Sequence, residues 1–112
     1  MTPDEFRRLA LRLPEAVEGA HQGHADFRVG GRVFATLGYP NDKFAVVMLS
    51  PQDQDLVVRD HPEAFTPVAG KWGAKGSTVV RLSAVGPRDT AAVEAALEAA
   101  WRKRAPKRLL VP

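Results

Sequence analysis

The sequence contains no cysteine, which excludes disulfides, thiolate metal sites and cysteine nucleophiles together. Serine is confined to Ser50, Ser77 and Ser83. Ser50 opens a helix-start pattern, and none of the three sits in a G-x-S-x-G turn, so a serine triad has no footing. No apolar run approaches the ~20 residues a membrane span needs. The opening Met1-Thr2-Pro3-Asp4-Glu5 lacks the apolar core of a signal peptide. A cytoplasmic protein with no membrane partner is expected. Internal repeats are absent, and the one biased tract is an alanine-rich segment near the C-terminus.

What is present is ordinary globular composition, 45% hydrophobic and 26% charged over 112 residues. That length suits one domain spanning residues 1–112, burying roughly 60 to 70% of the surface of its unfolded chain. The 16 Lys+Arg and 13 Asp+Glu are unevenly spread. Residues 1–56 hold six cations and eight acids, a net of −2, whereas residues 57–112 hold ten and five, a net of +5. The asymmetry favours an anionic partner without requiring one.

Three segments carry the same helix-start signal, a cap residue, then Pro, then an acid within the first turn. They begin at Thr2-Pro3, Ser50-Pro51 and Gly86-Pro87. In the first two, the hydroxyl can accept from a free backbone N–H while the acid reaches back, as in a capping box. The first helix places Phe6, Leu9, Ala10 and Leu13 on one face and stops at Pro14. The second is short, with Leu56 and Val57 facing inward, and ends near His61-Pro62. The third carries Val93, Ala96, Leu97, Ala100 and Trp101 as one stripe and ends before Pro106.

Between the first two helices lie strand patterns. Ala25 to Val29 alternates, Gly30-Gly31 supplies the positive φ angles of a two-residue turn, and Arg32 to Leu37 returns. A simple turn sets Phe27 opposite Phe34, whereas a bulge changes that pairing. Phe44 to Leu49 is a continuous apolar run suited to a central strand or a dimer contact. Ser77 to Leu82 gives a further strand and Val17 to Gln22 a weaker one. Helix, strands, short helix, strand and long helix predict an α+β domain, a two-layer fold with an antiparallel sheet backed by helices.

His21, His24 and Asp26 have metal-ligating chemistry, but in one extended strand positions 21 and 24 face opposite ways and further ligands are distant. No metal is expected. His24 with Asp26 has acid–base potential, because residues two apart share a strand face. The segment Gly70-Lys71-Trp72-Gly73-Ala74-Lys75-Gly76 could offer backbone N–H groups and ammonium charges to a phosphate, and an indole to a base. It lacks the Walker order, because Lys75 is followed by Gly76 and only then by Ser77. The plainer reading is a glycine-rich connection with Trp72 folded down as a lid on the core. Arg102, Lys103, Arg104, Lys107 and Arg108 put five cations in seven positions, more than a helix C-terminus needs for its dipole.

The ordered blocks Gly23-His24-x-Asp26-Phe27-Arg28-Val29-Gly30-Gly31-Arg32-Val33-Phe34-Ala35-Thr36-Leu37, Phe65-x-Pro67, Trp72-Gly73, Thr78-x-Val80-Arg81-Leu82, Ala100-Trp101 and Ala105-Pro106-Lys107 resemble the MmcQ/YjbR family of small bacterial proteins. The resemblance covers nearly the whole chain. It implies an α+β fold like that of secretion chaperones and frataxin-like proteins, and it carries the label "DNA-binding protein". It supplies no catalytic residues and no cofactor.

Three function classes follow. Weak, phosphate-directed binding of DNA or RNA would use Lys71, Lys75, Arg102, Lys103, Lys107 and Arg108. A small-ligand protein or enzyme would use a pocket around His21, His24, Asp26 and Trp72. An interaction scaffold would use an open sheet face or edge strand, as a monomer or homodimer. The charge asymmetry favours the first, and no catalytic constellation is legible.

Overall fold

The computed structural model describes residues 1–111. Its elements run α1 (Pro3–Leu11), β1 (Val17–His21), β2 (His24–Val29), β3 (Arg32–Leu37), β4 (Phe44–Met48), α2 (Pro51–Asp60), β5 (Phe65–Pro67), α3 (Lys71–Ala74), β6 (Ser77–Arg81) and α4 (Thr90–Arg104). The six strands form one antiparallel sheet in the order β1-β2-β3-β4-β6-β5. The apolar run from Phe44 is therefore interior, and β1 and the short β5 are the edges.

The sheet has one backed face and one open face. Partners in register across all six strands, Ala20, Ala25, Leu37, Ala45, Val80 and Phe65, form a row on the helix side. Leu37, Ala45, Val80 and Phe65 are buried there in the cluster that also holds Phe6, Val93, Leu97 and Trp101. The α4 stripe drives this packing: all five of its anticipated residues are buried, and the Trp101 indole N–H donates to the Pro14 carbonyl at 3.0 Å. That bond satisfies the one polar atom of a large buried ring. The adjacent row, Gly19, Asp26, Thr36, Val46, Val79 and Thr66, points the other way, because side chains alternate along each strand.

The hairpin takes the bulged of its two readings, and three other local expectations need correction. The turn at Gly30-Gly31 is followed by a bulge, so Phe27 pairs with Ala35 and Arg28 with Val33, leaving Phe34 as the extra residue. Both phenylalanines are fully buried in that register, which is what the bulge achieves. In α2 the buried residue is Gln54, whereas Leu56 is half-exposed and Val57 only partly buried. The Gln54 amide nitrogen lies 3.0 Å from the Gly73 and Ser77 carbonyls, and burying it costs little because those acceptors are met. The full capping box forms only at Thr2 and Glu5, while Ser50 caps α2 through its hydroxyl alone. The third start signal is displaced: residues 87–89 form a turn and α4 begins at Thr90. The Asp89 carboxylate is diverted to the Gly86 N–H at 3.0 Å and lies 2.7 Å from His61 Nδ1, so it closes the turn instead of capping its own helix. These bonds, the Gly86 one foremost, hold the Asp89 carboxyl below its ordinary range.

Candidate functional site

A cleft of about 800 Å³ lies over the open face of the sheet, within the size range of small-molecule sites. Its floor comes from Asp26, Thr36, Val46, Met48 and Ser77, its aromatic rings from Tyr39 and Trp72, and its cations from Arg32, Lys75, Lys103 and Arg104, with His21 and His24 at the β1–β2 end.

The two histidines meet across a turn. Gln22 and Gly23 both take positive φ and turn the chain between β1 and β2, so His21 and His24 are cross-strand partners, not members of one strand. Cross-strand partners share a face, which reverses the expectation that they point apart. His24 also packs edge-on against Tyr39 at 6.0 Å between ring centres. Asp26 follows His24 by two and lines the same cleft, but its carboxylate is committed. Arg28 grips it through two bonds, at 2.8 and 2.9 Å, which raise the guanidinium pKa above its ordinary value. Opposite it stands Gly19, where a Cβ would come 2.9 Å from the Asp26 carboxylate, so the absent side chain leaves room for the pair. Among the described residues no group of three His, Asp or Glu side chains is placed to hold a metal.

Trp72 is not a lid on the core. It is 68% exposed and faces the cleft, with the Lys75 ammonium 5.4 Å from its ring centre. The glycines around it have structural work. At Gly73 a Cβ would collide with the Val68 carbonyl, and at Gly76, with φ 115°, it would collide with the Leu49 carbonyl. The loop is thereby pressed between the ends of β4 and β5 while the indole is held outward. Gln54 pins it from behind through the Gly73 carbonyl; a polar residue at an inward helical position was the available signal for that role.

The six anticipated phosphate-binding cations do not form one patch. Arg108 forks onto Glu15 at 2.7 and 2.8 Å, which holds the Glu15 carboxyl below its usual range. Arg102 pairs with Glu98 at 3.1 Å along the exposed side of α4. Lys71 and Lys107 are exposed and do not line the cleft. Lys75 and Lys103 do, together with Arg32 and Arg104. The Lys103 ammonium donates to the Leu49 carbonyl at 3.0 Å. Burial, with Arg104 and Arg32 nearby, pulls its pKa below the ordinary lysine value. None of these four cleft cations has a salt bridge among the described residues.

No helix among the described residues is long and apolar enough to cross a membrane. No curated protein matches the sequence. Among solved structures, the Deinococcus radiodurans protein DR2400, whose structure carries a DUF419 domain, aligns at a TM-score of 0.74 and 20% identity, covering 99% of this chain and 89% of that one; this likeness concerns the fold. The family description of YjbR matches residues 11–103, a span from the end of α1 to the last turn of α4 that holds nearly all of the cleft, and the chain belongs to the YjbR family.

Proposed function

We propose that the open cleft binds a ligand that joins a planar ring to phosphate, the chemistry of a nucleotide unit, free or within a single strand. The observation that carries this reading is the convergence of two exposed aromatic rings, Trp72 and Tyr39, with four cations that lack carboxylate partners, on one concave surface. Aromatic faces accept any base at about 1–3 kcal/mol per stacked ring, and cations supply sequence-independent attraction to phosphate. Duplex binding through the C-terminal run is disfavoured, since Arg102 and Arg108 are already paired with acids and stacked base pairs offer no free face to Trp72.

The test is binding of a labelled oligothymidylate and of a matched duplex across a salt series. With up to four phosphates neutralised on a single strand, log K falls against log salt with a slope near −2.8, so affinity drops about 50-fold between 50 and 200 mM salt. The single strand should bind more tightly than the duplex, and Trp72→Ala should remove that preference. No affinity for either nucleic acid, or for a free mononucleotide, at 50 mM salt would sink the reading.

A further inference from the structure

The cations of the cleft are not evenly distributed. Arg32 opens β3 just after the Gly30-Gly31 turn, and Lys103 and Arg104 are the last residues of α4. The two elements meet here, where Pro106 packs against Gly30 so closely that a Cβ on the glycine would lie 2.9 Å from the proline ring. This contact brings three positive side chains to one corner. Arg32, Lys103 and Arg104 line the same cleft, and the two arginines act on the Lys103 ammonium as like charges, opposed by Asp53. Arg104 is partly buried, and its Nε is fully buried with no hydrogen-bond partner among the described residues. A guanidinium N–H left in that state is costly, and three cations crowded together repel one another. The repulsion is relieved if an anion of high charge density occupies the corner, and Nε gains a partner if the Arg104 side chain turns outward onto that anion.

We infer that this corner is a subsite for a terminal phosphate, a monoester dianion, and that it selects phosphate ends over internal diester links. The inference rests on the cleft reading above and sharpens it. A diester carries one charge and is flanked by two esterified oxygens. A monoester near neutral pH carries between one and two charges and three acceptor oxygens, matching three donors from two arginines and a lysine. Arg104 supplies the planar fork suited to two of those oxygens, with Nε as one tine. Lys103 can keep its bond to the Leu49 carbonyl and donate to the ligand as well, because its ammonium has three protons.

The experiment compares a 5′-phosphorylated oligothymidylate with its 5′-hydroxyl counterpart, and follows the Arg104 Nε–Hε resonance by NMR while inorganic pyrophosphate is added. The phosphorylated strand should bind about tenfold more tightly, the effect of one charge-assisted contact. Arg104→Gln should erase the difference between the two strands, and Arg32→Gln, at an exposed position that does not endanger folding, should reduce it. Pyrophosphate should move the Arg104 resonance even if neither strand binds, an outcome that supports the subsite while overturning the base-stacking part of the reading. Equal binding of both strands with an unmoved Arg104 resonance would overturn the subsite and leave the cleft reading standing. Failure of strands and pyrophosphate alike would overturn both.

Discussion

The two faces of the sheet are built from neighbouring rows of the same strands, yet they obey different rules. On the backed face, Leu37, Ala45, Val80 and Phe65 are dry and pack under α4. On the open face, Asp26, Thr36 and Val46 stand in the corresponding positions, and the side chains around them are cations, histidines and exposed rings. On the proposed reading, the difference separates stability from binding. Removing atoms from the backed row opens a cavity, whereas changing the rim of the open face removes little that folding depends on.

The largest expected effect is on the backed side. Trp101→Ala removes a 4% exposed ring and its bond to Pro14, and should cost about 3 to 5 kcal/mol in urea or thermal unfolding. That is a large share of a small domain's stability. Next comes Gly73→Ala, where the added Cβ must displace the Val68 backbone. Such overpacking should cost about 1 to 3 kcal/mol and should also weaken binding, because the loop that presents Trp72 shifts. Trp72→Ala sharpens the contrast: stability should stay within about 0.5 kcal/mol, while single-strand affinity falls by about 1 to 3 kcal/mol. A large loss of stability on Trp72→Ala would erase the distinction between the faces.

The smallest effect is on acid stability. The Asp89, Glu15 and Glu5 carboxyls all titrate lower in the folded protein than their ordinary values, led respectively by the Gly86 N–H, the Arg108 fork and the Thr2 backbone N–H. A folded pKa below the unfolded one contributes stability above the unfolded carboxylate range that is lost as pH falls through the folded value. Stability measured from pH 7 downwards should therefore hold to about pH 5 and decline below it. Glu15→Gln or Asp89→Asn should flatten that decline, and a decline beginning near neutral pH would assign it to other groups.

Much of the fold was legible because its signals are local. Thr2-Pro3 and Ser50-Pro51 mark helix starts by hydrogen-bond chemistry within one turn, Gly30-Gly31 marks a hairpin by its φ angles, and the α4 stripe repeats over more than two turns. What escaped depends on distant partners. The three residues of β5 carry no period of their own and are fixed by pairing with β6 and by burial of Phe65 in the core. The fate of Asp89 depends on His61, 28 residues away. Gln54 takes the inward place expected of Leu56 because the acceptors that make its burial cheap lie 19 to 24 residues downstream. The cleft was legible in its membership, His21, His24, Asp26 and Trp72, but not in its charge. The linear run at residues 102–108 suggested one basic patch, and α4 in fact ends by sending Lys103 and Arg104 into the cleft while Arg102 and Arg108 turn to acids.

Amide NMR of the protein titrated with oligothymidylate at low salt distinguishes the open face from the C-terminal cation run as the binding surface. Binding at the open face should shift resonances at Asp26, Thr36, Val46 and Val79, in the 70–76 loop and at Lys103 and Arg104. Shifts confined to Arg102, Lys107 and Arg108, or no shifts at all, would contradict it.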